Sequence, residues 1–406
     1  MEAVEDIVIV GAGIAGLTTA LGLHRLGIRS LVLESFDGLR TTGFAFATWT
    51  NAWQALDAVG IGESLRQRHN QLFGLQTVST ISGISTAERQ FDATGKRQDH
   101  EIRCVQRRAL LETLANELPS GTIRYSSKVV SIEESSHLKL VHLADGSILK
   151  AKVLIGCDGV NSAVAKWLGF RKPAFAGRSA FRGCVYYDHG HSFEPKFLQF
   201  FGEGVRYGVI PCDDKTIYWF FTFSSSSKNG EMEESPDKMK QFVLGKLGKI
   251  PDNVRAVIEK TELDNFTMSP LRFRPPWEIL RGNISKNNVC IAGDALHPMT
   301  PDLGQGGCSA LEDGIVLARC LGKALRDNQS IKSEEEYKRI EMGLQRYAKE
   351  RRWRAFELIS TAYMVGYMQQ SNGKVLTFLR DRVLASFLAG KLLKMASFDC
   401  GKLSAS

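Results

Sequence analysis

Two hydrophobic rhythms alternate along the chain. Asp6-Ile7-Val8-Ile9-Val10 is apolar at every position after the first, as a strand buried on both faces requires. A glycine-rich stretch follows, and from Gly13 to Leu26 apolar residues recur at helical spacing. Ile28 to Glu34 is a second strand, so residues 6–34 predict strand, tight turn, helix, strand. Residues 107–118 predict an amphipathic helix. Leu138 to Leu143 and Ile148 to Leu154 predict two strands joined at Asp145-Gly146, a hairpin turn pair. From about 175 to 285 the period becomes two: Phe197 to Phe201, Tyr207 to Ile210 and Ile217 to Phe223 read as aromatic strands, interrupted by a polar Ser224 to Ser227 turn and a loop over 228–236. Residues 285–330 return to strand, glycine-rich loop and helix, and 334–400 read as mostly helical.

This order predicts an α/β chain in which a mostly antiparallel sheet domain is inserted into a Rossmann-like dinucleotide-binding domain. The boundaries expected are 1–75, 101–175 and 286–335 for the dinucleotide domain, 76–100 and 176–285 for the sheet domain, and 336–406 for a C-terminal helical region. The 406 residues suffice for two or three such units.

Composition narrows the chemistry. The eight cysteines contain no CxxC pair and several sit in apolar runs such as Val289-Cys290-Ile291, so reduced buried thiols and a reducing, cytoplasmic compartment are expected. The eight histidines lack HxxxH or HExxH spacing, so no metal site is expected. The net charge of +8 is dispersed, apart from Lys349-Glu350-Arg351-Arg352-Trp353-Arg354. It suits anionic small molecules, and no motif points to nucleic acid. The first apolar run is too short for a signal core. No transmembrane span is expected, since the longest uncharged run near the end, Leu358 to Gly373, contains Gln369, Gln370 and Asn372.

Three separated motifs carry the chemistry. Gly11-Ala12-Gly13-Ile14-Ala15-Gly16 is a G-x-G-x-x-G turn between strand and helix. There Gly11 permits the tight turn, Gly13 admits a pyrophosphate and Gly16 lets the helix pack on the strand. The helix N-terminus adds partial positive charge. Glu34, ending the second strand, can accept hydrogen bonds from ribose hydroxyls. This much fits NAD or FAD. The second motif is Gly156-Cys157-Asp158-Gly159, and the third is Gly293-Asp294-Ala295-Leu296-His297-Pro298, running into Pro301-Asp302-Leu303-Gly304-Gln305-Gly306-Gly307-Cys308.

In this order the three motifs resemble the single-component FAD-dependent aromatic hydroxylase and epoxidase family, nearest its plant members similar to salicylate hydroxylase and zeaxanthin epoxidase. The resemblance runs from residue 5 to about 330. It implies a p-hydroxybenzoate-hydroxylase-like fold and an enzyme that uses NAD(P)H and O2 to insert one oxygen atom into a small aromatic or other electron-rich substrate through a C4a-hydroperoxyflavin. NADPH or NADH binds transiently, since no second G-x-G-x-x-G is present. The resemblance places Asp294 on the ribityl chain, and Asp158 near the pyrophosphate and the nicotinamide path. Gly293, Gly304, Gly306 and Gly307 line the flavin. Arg107 and Arg40 match the family's two FAD arginines, and Val129 matches the position whose backbone meets adenine. Cys308 stands where many aromatic hydroxylases have Asn, which weakens the link to the phenol-acid branch. No side chain is assigned as acid, base or nucleophile, and His297 reads as a packed, hydrogen-bonded residue.

The substrate is expected between the second-domain sheet and the flavin, against Phe197, Gln199, Tyr207 and Pro301. Alternation puts Phe197, Gln199 and Phe201 on one face. Relatives that take aromatic acids carry an arginine there. With Gln199 as the equivalent, a neutral aromatic, indole-like or terpenoid substrate is expected. Lys374 to Lys394 reads as a basic amphipathic helix that caps a domain or makes weak membrane-surface contact. A monomer or dimer fits. The competing functions are an FAD-dependent reductase or dehydrogenase that does not activate oxygen, and a flavin-binding sensor.

Overall fold

The computed structural model describes residues 4–40, 44–91, 100–202, 204–224, 235–326, 333–370 and 393–403. Most of the 224–236 turn and loop, and the apolar positions Leu376 to Leu388 of the basic stretch, lie outside the described residues.

The first sheet is built around Val4–Val10, whose residues 7–10 are buried on both faces. Leu31–Leu33 pairs with it on one side and Ile148–Gly156 on the other, both parallel. Val289–Ile291 adds in parallel beyond Ile148–Gly156. Parallel order brings the C-terminal ends of Val4–Val10, Ile148–Gly156 and Val289–Ile291 side by side, and each end opens into one of the three glycine motifs. In such sheets ligands bind outside the strands' carboxyl ends. The hairpin Leu138–Leu143 to Ile148–Gly156 turns at Asp145-Gly146, with Gly146 at φ 86°.

The second sheet has seven strands among the described residues. Its centre is the antiparallel set Ala174–Tyr186, Thr216–Ser224, Val205–Pro211 and Lys196–Gly202, with Gly74–Ser79 added in parallel. One face packs on helices Pro236–Lys246 and Asp252–Lys260 around Phe181, Phe200, Trp219, Phe221 and Val257. Trp219 anchors that layer by donating its Nε1–H to Thr261 Oγ1 at 2.8 Å. The other face looks toward the first domain.

Two helices join the layers. Gly306–Arg326 runs back over the first sheet, and Ser333–Gln370 crosses from that helix to the second sheet. Near its far end Gly366 carries no Cβ, and one built there would lie 2.2 Å from Arg178 Nη2 and 2.3 Å from Asp302 Oδ2. A glycine inside a helix costs about 1 kcal/mol relative to alanine. Here it lets the helix backbone close on a buried ion pair.

Candidate active site

The three glycines of the first motif divide by what surrounds them. Gly11 has φ 103°, and a Cβ there would sit 2.4 Å from the carbonyl oxygen of Cys157. A Cβ on Gly16 would sit 1.9 Å from the carbonyl oxygen of Gly11. Both positions are closed by the protein itself. Among the described residues Gly13 meets nothing within 4 Å, and its φ is −79°, so neither their sterics nor backbone strain requires glycine there. The open space over Gly13 lies at the uncapped N-terminus of Ile14–Arg25, where backbone N–H groups face outward. Ile14 and Ala15 are buried behind it. Glu34 is also buried and accepts from Ala12 N at 2.9 Å and Phe36 N at 3.1 Å, which sets its carboxylate at the rim of the same turn.

The second motif enters as scaffold. Asp158 accepts from Ser162 Oγ at 2.5 Å and Ala163 N at 2.7 Å, holding the start of helix Ala163–Trp167. Burial raises its pKa above the usual carboxylate range, against these bonds. The carboxylate is committed to that helix rather than to the space above Gly13; what the motif presents to Gly11 is the Cys157-Asp158 backbone.

The third motif completes the cleft. Gly293, at φ 59°, packs so closely that its missing Cβ would lie 2.9 Å from Ala15 Cβ, which joins the first and third motifs. Asp294 is exposed, and among the described residues its carboxylate makes no hydrogen bond or ion pair. Arg107 is near enough to feel its charge. Burial pulls the Arg107 pKa down, Asp294 raises it, and Arg40 and Arg182 lower it. Arg107 Nε is buried without an acceptor among the described residues. Arg40 lies over the Phe36 ring, 5.4 Å from its centroid, and Val129 is buried at a bulge opposite Leu143. Open space over Gly13, an unpaired carboxylate and an orphaned guanidinium nitrogen together suit a ligand with a pyrophosphate and a polyol.

Pro301–Leu303 forms a short turn, ended by Gly304 at φ 63°. Gly307 seats the following helix against Phe46, whose ring a Cβ would approach to 2.5 Å. Gly306 has only Met299 near, at 3.8 Å. The Cys308 thiol is fully buried beside the carbonyl oxygens of Ala47 and Gly304, and burial pushes its pKa up to about 12, so it is an inert packing group.

Above this turn lies the inner face of the second sheet. Phe197 and Gln199 lie on it: Gln199 pairs with Gly208, and Phe197 meets the Phe220 ring edge-on at 6.2 Å. Tyr207, expected beside them, points the other way. It packs on Phe200 and Trp219 and donates its hydroxyl to Val254 O at 3.3 Å. Alternation along Val205–Pro211 sends 205, 207 and 209 to the helix layer and 206, 208 and 210 to the cleft. Tyr207→Phe should therefore cost about 1 kcal/mol of stability in a denaturant melt and leave substrate-coupled turnover unchanged.

The expectation of a cleft face without cations is corrected by the same alternation. Arg206 lies on the inner face, 5.1 Å from the Phe220 centroid and 5.9 Å from that of Phe201. Arg178 reaches Asp302 through two bonds, at 3.0 and 2.7 Å, while Arg206 Nη1 lies 3.3 Å from the same carboxylate. Among the described residues Arg206 Nε is buried with no acceptor, and burial lowers the Arg206 pKa despite Asp302. Arg182 donates to Ser269 Oγ on this face and lowers the pKa of the buried Tyr218, which desolvation raises more strongly. Arg178, Arg182 and Arg206 were missed from sequence because basic residues scattered along strands look like surface charge.

A dinucleotide turn, a second glycine-aspartate turn facing it and a covering sheet define a flavoprotein of the FAD-binding class. Known proteins agree. The FAD binding domain family matches residues 5–359, so the chain belongs to that family. Monooxygenase 2 of Arabidopsis thaliana is 55% identical over 408 residues, covering 99% of both chains. Monooxygenase 1 of the same plant is 37% identical, covering 98% of this chain and 99% of its own. The structure of Klebsiella pneumoniae HpxO complexed with FAD and uric acid superposes with a TM-score of 0.83 at 23% identity over 98% of each chain, a likeness of fold. The chain is an FAD-dependent monooxygenase.

Proposed function

We propose that this enzyme uses NAD(P)H and O2 to hydroxylate or epoxidise a small aromatic molecule that presents an anionic oxygen to the inner face of the second sheet. The observation that carries this reading is the cation excess there: Arg178 and Arg206 share one buried carboxylate, Asp302, and Arg182 on the same face donates to the neutral Ser269 Oγ. Asp302 is taken up by Arg178, so Arg206, with its orphaned Nε between two phenyl rings, has capacity for a ligand acceptor. Flat apolar walls and one strong donor suit an aromatic acid, phenolate or enolate.

On this reading the pyrophosphate sits over Gly13 against the N–H groups of Ile14 and Ala15, with Arg40 and Arg107 as counter-charges. Glu34 takes a ribose hydroxyl, Val129 borders the adenine, and Asp294 accepts from the ribityl chain. The Gly304–Gly307 turn borders the pyrimidine edge, with Pro301 on the substrate side. Bound FAD supplies the redox and oxygen chemistry. The protein's part is to orient the substrate, hold its charge and exclude water. All eight cysteines are free, which supports a reducing compartment. No helix of the described residues is long and apolar enough to cross a membrane.

The test is NAD(P)H oxidation by the yellow holoprotein across a panel of aromatic acids and phenols, with neutral isosteres beside them. Ligand-triggered, oxygen-dependent oxidation by the anionic members, giving a product one oxygen heavier, is expected. Anaerobic turnover to a reduced product would establish the reductase reading instead.

A further inference from the structure

Behind the Gly293-Asp294 turn lies a buried charged network that the reaction chemistry leaves without a role. Asp313 Oδ2 accepts from Gly293 N at 2.7 Å and lies 2.6 Å from His297 Nε2. Its other oxygen accepts from Arg351 Nε at 2.6 Å. Arg351 also donates through Nη2 to Ser309 Oγ at 2.8 Å, and its Nη1 lies 2.7 Å from Glu312 Oε2. Arg354 donates to Glu312 Oε1 at 2.8 Å, and Asn51 Nδ2 bridges Glu312 to Gln305 Oε1 at 2.9 Å. Arg351, Glu312, Asp313 and His297 are all fully buried.

Both ends of this network terminate on flavin-facing turns: Gly293, next to Asp294, and Gln305, inside the Gly304–Gly307 turn. Both arginines come from Ser333–Gln370, a helix outside the three motifs. Two acids in the second turn of Gly306–Arg326 would, left alone, oppose any negative charge gathering at that helix's N-terminal end. The two arginines cancel them. Desolvation pushes the pKa of both acids up, but the attractions of Arg351 and Arg354 on Glu312, and of His297 and Arg351 on Asp313, together with the hydrogen bonds these acids accept, bring both below the ordinary carboxylate value.

We propose that Arg351 is a positioning residue for the flavin. Through Asp313 it holds the Gly293-Asp294 turn, and by neutralising Asp313 and Glu312 it keeps the potential at the Gly304–Gly307 turn favourable to the negative charge the flavin gains on reduction. This rests on the reading that Asp294 and the Gly304–Gly307 turn face FAD. A unit charge about 10 Å away in a medium of effective dielectric about 20 shifts such an equilibrium roughly tenfold.

The experiment measures the midpoint potential of bound flavin, FAD affinity and apoprotein melting for Arg351→Lys, Arg351→Met, Asp313→Asn and the double variant Arg351→Met/Asp313→Asn. Arg351→Met should move the potential negative, Asp313→Asn should move it positive, and the double variant should return close to wild type while FAD affinity stays weakened. Arg351→Lys keeps the charge but not the three-way reach, so its potential should stay near wild type with weakened affinity. If potentials do not move in the variants that bind flavin, or follow the loss of melting temperature instead of the charge removed, the inference fails. Should Arg351→Met bind no flavin, Asp313→Asn and Arg351→Lys still decide the matter through the same contrast. Asp294→Ala, measured alongside, separates the layers. Full flavin retention there overturns the reading of the site, whereas flavin loss with unmoved potentials in the charge variants overturns only the role of Arg351.

Discussion

Gly13→Val is expected to give a folded protein that takes up no flavin. The valine Cβ meets nothing within 4 Å among the described residues, and the backbone at φ −79° suits any residue. The apoprotein melt should therefore stay within about 0.5 kcal/mol of wild type. The added methyl groups instead occupy the space over the N–H groups proposed to meet the pyrophosphate. Losing two charge-assisted hydrogen bonds costs about 3 kcal/mol or more, which weakens FAD binding at least about a hundredfold. Gly16→Ala makes the contrast. Its Cβ would sit 1.9 Å from the Gly11 carbonyl, so fold and flavin should fail together. The measurements are the ratio of visible to protein absorbance and a calorimetric melt of the apoprotein. A yellow Gly13→Val protein with unaltered FAD affinity would remove the pyrophosphate from this turn.

Arg206→Gln is expected to do the reverse, keeping FAD and losing the substrate. Asp302 retains two bonds from Arg178, so the substitution does not strand a buried carboxylate. What disappears is one donor-rich cation whose Nε has no acceptor among the described residues. A hydrogen bond to a charged group contributes about 1.5–3 kcal/mol, so kcat/KM for an anionic aromatic should fall about ten- to hundredfold. A neutral isostere should lose much less. Steady-state kinetics on such a pair, with flavin content checked in the same preparation, reads this out. Equal losses for both members would mean that the cation meets no substrate charge.

The glycine motifs were legible because the reasons for glycine are local. Gly11 and Gly304 need positive φ, and Gly16 needs close contact within its own turn. The face of the second sheet was harder to read. Every residue of Val205–Pro211 is buried, so period two has no polar side to mark, and Tyr207 and Arg206 could not be told apart by pattern. What decides their directions is the pair of helices Pro236–Lys246 and Asp252–Lys260, which cover one face and which the 175–285 reading did not include. The basic stretch 349–354 misled in a similar way. Read as a charge cluster, it divides on the helix: Arg351 and Arg354 turn inward to Glu312 and Asp313, Arg352 donates to the carbonyl groups of Leu280 and Gly282, and Lys349 and Trp353 are left in solvent. Inward arginines are recognisable only once their acids, some forty positions earlier, are known to lie beneath them.

Gly366 sets a boundary on how this enzyme can diversify. With helix backbone resting directly on Arg178 and Asp302, any side chain acquired at that position displaces the pair rather than empty volume. Relatives of altered selectivity should thus reveal themselves near the chain's far end, where a single methyl group would reshape the surroundings of Arg178 and Asp302 without touching the strands that enclose them.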